Sequence, residues 1–299
     1  MNEFDWIEWI QKKAGPVPRH WIGIGDDAAV LSIAPKKDWV VSTDAIVEGV
    51  DFDCSVTPSQ AGRKALAINL SDLAAMGAHP EAFLMTLGVP KDWGQARLKQ
   101  FILGVFRLAR EYRVVCVGGD MSSAKQFFCS ITVMGSAVKQ TAVLRRGAKP
   151  GDVILVTGSL GGSIYKKHYA FTPRIKEGEW LIQHFRPSAL MDVSDGLAQD
   201  LGHLLRSSGC SARIDLEKIP VSKEAKNIQS ALSDGEDFEL LMTMNTKKYL
   251  QLVPRWKKAF PGVALTAIGS IAQGTPQIHY FKNSVLQKKF HAKAGFRHF

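Results

Sequence analysis

The stretch TPSQAGRKALAINLSDLAAMGAHPEAFLMTL, residues 57–87, decides the fold class. It opens on Thr57-Pro58, a helix cap followed by a first-turn proline, and small or aliphatic residues then recur at helical spacing until Gly77. The apolar run Phe83–Leu87 follows, which is typical of a buried strand. A helix that leads directly into a strand predicts an α/β or α+β protein.

The rest of the chain repeats this alternation of strands and helices. Apolar spacing of three and four residues predicts further helices over Ala96–Tyr112 and Leu197–Ser207. Further strands are predicted at Trp39–Ser42, Val114–Val117, Phe128–Met134, Val153–Thr157, Ala189–Val193, Ala212–Leu216, Glu239–Thr243 and Leu265–Ile268. The turn Pro150-Gly151 marks a restart of the strand pattern. We therefore predict an N-terminal domain over residues 1–140 and a C-terminal α/β domain over residues 141–299.

Composition narrows the class of protein. The chain has 299 residues, and no apolar run approaches the length that crosses a bilayer. The N-terminus lacks the basic-then-apolar layout of a secretory signal. The four cysteines are far apart and form no CxxC pair, so we expect neither a zinc site nor a disulfide framework. These features predict a cytoplasmic protein that does not contact a membrane.

The net charge of +10 indicates an anionic partner without naming it. The lysines and arginines occur as scattered doublets, and no block of five or six forms. Aromatic residues do not alternate with them as they do on a nucleic-acid platform. We therefore expect phosphorylated small molecules as partners, and no nucleic acid.

The acidic residues are the distinctive feature, because they recur beside small residues in several short motifs. These are Asp26 and Asp27 in GIGDDAAV, Asp44 in STDAIVEGV, Asp72 in NLSDLAAMG, Asp120 in VGGD, and Asp192 and Asp195 in DVSDGLAQDL. Most follow an apolar run, so we place them in loops at the rim of a sheet. Each motif alone is also typical of a turn or helix cap. Their number in one chain favours a shared Mg²⁺ site, since gathered carboxylates need cations.

Other known signatures are absent from the sequence. It contains no GxxxxGK[ST] phosphate loop, no GxGxxG fingerprint, no HExxH and no GxSxG. The stretch VTGSLGGS, residues 156–163, is able to bind phosphate through its backbone amides, but a simple strand-to-helix turn explains it equally well.

In their order, the motifs resemble the thiamine-monophosphate kinase family, whose superfamily includes aminoimidazole-ribonucleotide synthetase and selenophosphate synthetase. The matching blocks, from residue 23 to 299, are GIGDDAAV, STDAIVEGV, NLSDLAAMGAHP, VGGD, RRGAKPGDVILVTG, DVSDGLAQDLGHL, DGEDFELL and GFRHF. The resemblance implies ATP-dependent phosphorylation of thiamine monophosphate to thiamine diphosphate, with several Mg²⁺ ions. It implies an aminoimidazole-ribonucleotide-synthetase-like fold with a barrel-forming mixed sheet and a C-terminal α/β domain. A homodimer formed through the N-terminal domains is also implied.

Individual residues acquire roles from the resemblance alone. The implied metal ligands are Asp27, Ser42, Thr43, Asp44, Asp72, Asp120, Asp192 and Asp195. The implied contacts to ATP are Gly119, Asp120, Arg145 and Ser194, and those to the acceptor are Asp51, Glu236 and Phe296. No general base is expected, because a phosphate acceptor is already a nucleophile and phosphoryl transfer depends on positioning and charge neutralisation.

Three departures from the family pattern leave alternatives open. Asp51 stands where the family usually has His, and Met121-Ser122 replace two usual threonines. The segment after VTGSLGG is shortened, with Gly162 in place of a usual Asp. The alternatives are another ATP-dependent enzyme of the superfamily and a non-catalytic nucleotide-binding paralogue.

Overall fold

Two mixed β-sheets form the framework of the chain, and a computed structural model describes residues 3–14, 16–165, 167–292 and 295. The helix α1 (Glu3–Ala14) precedes the first sheet. The strands of this sheet are β1 (Ala29–Leu31), β2 (Lys37–Val47), β3 (His79–Val89), β4 (Val115–Ser123) and β5 (Phe128–Val138). They lie in the order β1-β2-β5-β3-β4, and only β3 and β4 are parallel neighbours.

Two long helices, α2 (Pro58–Ala75) and α3 (Gln95–Tyr112), pack against each other beside this sheet. Thr57 and Gln60 form a capping box at the start of α2, which confirms the predicted cap. The two helices approach closely because glycines face backbone: a Cβ on Gly62 would collide with the Phe101 carbonyl, and one on Gly104 with the Ser59 carbonyl.

The second sheet has seven strands. They are β6 (Val153–Thr157), β7 (Ala189–Asp192), β8 (Ser211–Asp215), β9 (Leu240–Met244), β10 (Leu265–Ala272), β11 (Ile278–Lys282) and β12 (Val285–Leu286). Their order is β12-β11-β8-β10-β6-β9-β7. The helices of this half are α4 (Lys167–Ala170), α5 (Ile175–His184), α6 (Leu197–Ser208), α7 (Ile228–Ser233) and α8 (Thr246–Ala259). Short 3-10 turns cover Ser163–Tyr165 and Leu216–Lys218.

The element α2 joins the two halves. It contacts β2 and β5 of the first sheet, and also α4, α5 and β7 of the second half. Leu66, Leu70 and Leu73 are fully buried along it, so hydrophobic burial stabilises the helix from both sides. The end of α2 therefore lies where the two sheets meet. The predicted division at residues 140/141 falls in the connection between β5 and β6.

Every predicted strand and helix is present, but the strands of the first sheet are longer than predicted. Because β2 extends to Val47 and β4 to Ser123, Asp44 and Asp120 lie inside strands. The expectation that they occupy loops after strands was wrong. The strand β4 continues past polar residues because, apart from the half-buried Cys116, every residue of β4 is exposed.

No helix in the described part of the chain is both long and apolar enough to cross a bilayer. The cytoplasmic location expected from the sequence stays a prediction.

Candidate functional site

Three carboxylates from three different elements meet between the sheets, and we call them the acid cluster: Asp27, Asp72 and Asp192. Asp27 precedes β1, Asp72 lies in the last turn of α2, and Asp192 ends β7. One oxygen of each lies within 4.8 Å of the others. In the described chain, Asp27 Oδ2 is buried and has no hydrogen-bond partner. A buried oxygen without a donor is the kind of atom that a bound cation satisfies.

The electrostatics of the acid cluster also favour a cation. Burial, followed by the nearby charges of Asp44, Asp192 and Asp27, raises the pKa of Asp72 well above its usual value. Burial, with the charge of Asp27 next, raises the pKa of Asp192 to about 7. Without a cation, these carboxyl groups resist full ionisation at neutral pH. The site fits Mg²⁺, which binds carboxylate oxygens and keeps room for phosphates.

Hydroxyl and amide side chains orient the acids. Ser42 Oγ donates to Asp72 Oδ2 at 2.5 Å, and Ser71 Oγ donates to Asp192 Oδ2 at 2.5 Å. Asn69 Oδ1 accepts the backbone N–H of Asp44 at 3.0 Å, which ties β2 to α2. Side chains alternate along a strand, so Ser42 and Asp44 share the face of β2 that meets the acid cluster.

The alternation of side chains along β2 also places Thr43 on a different face from Ser42 and Asp44. Thr43 lies on the opposite face of β2, where its hydroxyl donates to the carbonyl of Ile131 at 3.1 Å. The side chains of Ser42 and Asp44 thus lie on one face of β2 and that of Thr43 on the other. Thr43 nevertheless lines the same cavity as Asp27 and Ser42, so its role as a metal ligand stays a prediction.

Gly119 and Asp120 are also distant from the acid cluster. They lie on β4, and β4 is separated from β2 by β5 and β3. In register, Asp44 faces Ile131, Ile131 faces Met85, and Met85 faces Gly119. Three strand spacings place the backbones of Asp44 and Gly119 about 14 Å apart. One chain therefore does not bring Asp120 to the other predicted ligands.

The loop after β7 holds Ser194 and Asp195 beside the acid cluster. Buried Asp200 accepts hydrogen bonds from the backbone N–H groups of Asp195 and Gly196 at 3.2 and 3.1 Å. The carbonyl of Ser194 accepts the backbone N–H of Glu236 at 2.6 Å. This loop therefore links the acid cluster to the segment that carries Glu236.

A cavity of about 1150 Å³, here called the arginine cavity, opens beside the acid cluster. Arg145, Asp27, Ser42 and residues of α1 line it. Arg145 Nη2 donates to Asp27 Oδ1 at 2.8 Å, and the Arg145 backbone N–H donates to Asp26 at 2.6 Å. The cavity has room for a nucleotide, and Arg145 stands at the junction with the acid cluster.

A second cavity of about 640 Å³, here called the histidine cavity, lies between the loop after β2, α4 and the turn before β9. Its lining includes Asp51, His168 and Glu236. Asp51 Oδ2 accepts the Val47 N–H at 2.7 Å, so this side chain also closes a turn at the cavity wall. Glu236 has a φ of 53°, a strained conformation for a residue with a side chain, and such strain clusters at functional sites.

Sequence reasoning missed two residues of this cavity region, Lys64 and His168. Lys64 is 1% exposed, and its Nζ donates to Glu236 Oε1 at 2.5 Å and to the Asp51 carbonyl at 2.9 Å. Burial raises the pKa of Glu236, but the hydrogen bond from His168 and the charge of Lys64 outweigh it and hold that pKa below its usual value. A lysine directly before the apolar residues Ala65–Ile68 of α2 was a usable signal. His168 lies in the shortened segment after VTGSLGG, and no signal in the sequence indicated a role for it.

The backbone amides of VTGSLGGS are already occupied. The N–H of Gly161 donates to both oxygens of Asp237, at 3.0 and 2.9 Å, and the N–H of Gly162 donates to Asp234 at 3.0 Å. Of the two interpretations of this stretch, the structure favours the simple turn, because the protein's own carboxylates take the donors of Gly161 and Gly162. Gly162 has a φ of 71°, and a Cβ there would meet the Glu224 backbone, so the usual Asp does not fit this chain.

Phe296, the predicted aromatic contact to the acceptor, lies outside the described residues. Gly295 is described, and its backbone packs so closely on the Asp195 carbonyl that a Cβ would collide with it. The chain therefore passes beside the Asp195 loop just before Phe296.

Comparison with known proteins defines the class first. Residues 25–137 match the model of the AIR synthase related protein, N-terminal domain, and residues 149–261 match that of the C-terminal domain.

The thiamine-monophosphate kinase of Buchnera aphidicola subsp. Schizaphis graminum is 34% identical, covering 100% of this chain and 99% of its own. That of Bacillus subtilis is 32% identical, covering both chains completely. A solved structure described as AaThiL complexed with AMPPCP and TMP superimposes with a TM-score of 0.84 at 29% identity, over 100% of this chain and 97% of that one. The chain belongs to the thiamine-monophosphate kinase family of AIR synthase related proteins.

Proposed function

We propose that the protein transfers the γ-phosphoryl group of ATP to thiamine monophosphate, which gives thiamine diphosphate. The observation that carries the proposal is the acid cluster with its unpartnered Asp27 oxygen, placed beside two cavities. Asp27 lines the arginine cavity directly. Asp72 lies eight residues after Lys64 on α2, so the acid cluster is about 12 Å along the helix from the histidine cavity.

ATP is assigned to the arginine cavity. Arg145 offers a planar, permanently charged group for phosphate oxygens, and it is held in place through its backbone N–H. The predicted contact between Ser194 and ATP remains part of this proposal. The AaThiL relative was solved with AMPPCP and TMP together, which supports a site for a nucleotide next to a site for an acceptor.

Mg²⁺ is assigned to the acid cluster, with Asp27, Asp72 and Asp192 as ligands and Asp44 and Ser42 beside them. When bound, the ions would neutralise charge on the transferring phosphoryl group. The protein holds its carboxylates in position through Ser42, Ser71 and Asn69. The acceptor phosphate is itself the nucleophile, so no side chain needs to remove a proton from it.

Thiamine monophosphate is assigned to the histidine cavity. Asp51, Asp53, Asp234 and Glu236 line it, and this excess of carboxylates favours a cation such as the thiazolium ring. The phosphate of the acceptor then points along α2 toward the acid cluster. The predicted contact between Phe296 and the thiamine moiety remains part of this proposal.

A homodimer completes the site. In the described structure, β1 pairs only with Trp39–Val41, so residues 42–47 of β2 have no neighbouring strand on that side, although Asn69 already accepts the N–H of Asp44. The strand β4 is the edge strand on the other side of the sheet. Val115, Val117 and Met121 on β4 are each more than half exposed. Joining β4 of each subunit to β2 of the other closes a barrel of four strands from each chain. Asp120 of the partner subunit then lies at the edge of β2 that carries Asp44.

The test is incubation of the purified protein with Mg²⁺, ATP and thiamine monophosphate, followed by chromatography for thiamine diphosphate. We expect product that depends on both substrates and disappears in excess chelator. The Asp72→Asn variant is the matched control for background activity. Binding of ATP without product would favour the non-catalytic paralogue and contradict the proposal.

A further inference from the structure

A histidine that no motif accounts for lies in the wall of the histidine cavity. The side chain of His168 is only 4% exposed, and its ring lies 3.6 Å, centroid to centroid, from that of Tyr169. One ring nitrogen is engaged: Nδ1 lies 2.5 Å from Glu236 Oε2. The other, Nε2, is buried and has no hydrogen-bond partner among the residues that the structure describes.

The partners of Nδ1 decide what Nε2 can do. An ionised carboxylate only accepts hydrogen bonds, so the short contact to Glu236 requires the proton on Nδ1. Lys64 Nζ lies 3.1 Å from the same nitrogen and directs two of its three donors to Glu236 Oε1 and the Asp51 carbonyl. The third donor does not bond to Nδ1 in this arrangement, because a protonated Nδ1 has no lone pair to accept it. In the neutral ring, Nε2 is then a hydrogen-bond acceptor.

We propose that His168 recognises the acceptor through Nε2, which accepts a hydrogen bond from an amino group on a cationic heteroaromatic ligand. This inference rests on the proposed function, because the aminopyrimidine of thiamine carries such a group. The carboxylates of Asp51, Asp53 and Asp234 line the same cavity and favour a cation. A phosphate at Nε2 would lie among those carboxylates and be repelled by them.

The charged neighbours of His168 hold its ring in place. Lys64 and Glu236 form a buried ion pair at 2.5 Å, and Lys64 also fixes the loop that carries Asp51. Lys64 and Glu236 come from different halves of the chain, so the pair joins the walls of the cavity. His168 is thereby positioned before the ligand enters, which lowers the ordering cost of binding.

The experiment compares two acceptors: thiamine monophosphate, and the analogue in which a carbonyl oxygen replaces the exocyclic amine of the pyrimidine. Dissociation constants are measured by calorimetry and KM values by turnover. The wild-type protein is expected to prefer the amine by about tenfold, the value of one good hydrogen bond. His168→Asn keeps a donor near Nδ1 for Glu236 and removes Nε2, so the preference should fall to about one while the KM for ATP stays unchanged.

Two further variants test whether His168 recognises the acceptor or only supports the structure. His168→Gln places an amide oxygen near the Nε2 position and should restore part of the preference. His79→Asn removes an exposed histidine that pairs with Glu179 at 2.7 Å far from the cavity, and should leave the preference intact.

Two outcomes overturn the inference. One is an equal loss of affinity for both acceptors in His168→Asn, and the other is a wild-type protein without preference. A wild-type protein that prefers the amine but makes no thiamine diphosphate contradicts the proposed reaction and leaves the reading role of His168 supported.

Discussion

Arg145 Nη2 donates to Asp27 Oδ1 at 2.8 Å, while the second oxygen of the same buried carboxylate has no partner among the described residues. Arg145 lies in the segment that connects the two sheets, so its ion pair with Asp27 holds that segment against the acid cluster. An arginine at this point neutralises one carboxylate and leaves the remaining negative charge to a cation. This position agrees with the proposed contact between Arg145 and the phosphates of ATP.

The first prediction is that Asp72→Asn lowers kcat/KM by at least about 100-fold, or roughly 2.7 kcal/mol of transition-state stabilisation. The melting temperature should not fall, because burial and neighbouring carboxylates already raise the pKa of Asp72 and disfavour its charge. Steady-state kinetics and thermal melting measure the two effects.

Asp38→Asn is the matched contrast for this prediction. Asp38 is also buried, but its carboxylate accepts the backbone N–H of Gln140 at 2.7 Å and the hydroxyl of Ser32. This variant should lower the melting temperature and keep near-native kcat/KM. An Asp72→Asn protein that behaves like Asp38→Asn would identify Asp72 as a structural residue.

The second prediction concerns pH and Mg²⁺. Burial and like charges raise the pKa of Asp192 to about 7 and that of Asp72 well above its usual value. In the unfolded chain both groups ionise near pH 4. The metal-free folded protein keeps the proton of Asp192 up to about pH 7, and it also holds the pKa of Asp72 well above its usual value. The folded state thus binds more protons in this range, so its free energy of unfolding should fall as pH rises from 4 to 7.

Mg²⁺ should prevent this fall in the free energy of unfolding, because it binds the ionised carboxylates. The increase in melting temperature that Mg²⁺ produces should therefore be larger at pH 8 than at pH 5, and it should shrink in Asp72→Asn. Equal increases at both pH values would show that the acid cluster does not bind the ion.

The third prediction tests the shared site of the dimer. Asp72→Asn and Asp120→Asn should each be inactive alone, and co-refolding or co-expressing them should restore about a quarter of wild-type activity. Half of the dimers are then mixed, and each mixed dimer has one site with neither substitution. Failure to recover activity in verified mixed dimers would place both residues in the same subunit's site.

The fourth prediction concerns the C-terminal residues. Gly295 packs on the Asp195 carbonyl, which brings the chain to the loop after β7 just before Phe296. Deleting residues 296–299 should raise the KM for thiamine monophosphate about 3–30-fold, the range expected for loss of one aromatic contact to a cation. The KM for ATP should barely change. A similar rise for both substrates would indicate that these residues support the fold.

Local sequence determined the elements. The cap at Thr57, the apolar spacing of α2, α3 and α6, and the short apolar runs predicted these three helices and the centres of nine strands, because such signals depend on neighbours a few residues away. The helices α1, α4, α5, α7 and α8 and the strands β1, β11 and β12 were not predicted. The acid motifs also named Asp27, Asp72 and Asp192 before any contact between them was known. Motif order along the chain was sufficient for the family.

Tertiary structure decided the site. Asp44 and Asp120 lie in strands longer than local patterns predict, because pairing with neighbouring strands extends them past polar residues. Strand alternation places the side chain of Thr43 on the face of β2 opposite Ser42 and Asp44, and strand order separates Asp120 from Asp44. Lys64 and His168 meet Glu236 only because α2, α4 and the turn before β9 pack together. Those contacts join residues about 70 to 170 positions apart, a separation that no local pattern encodes.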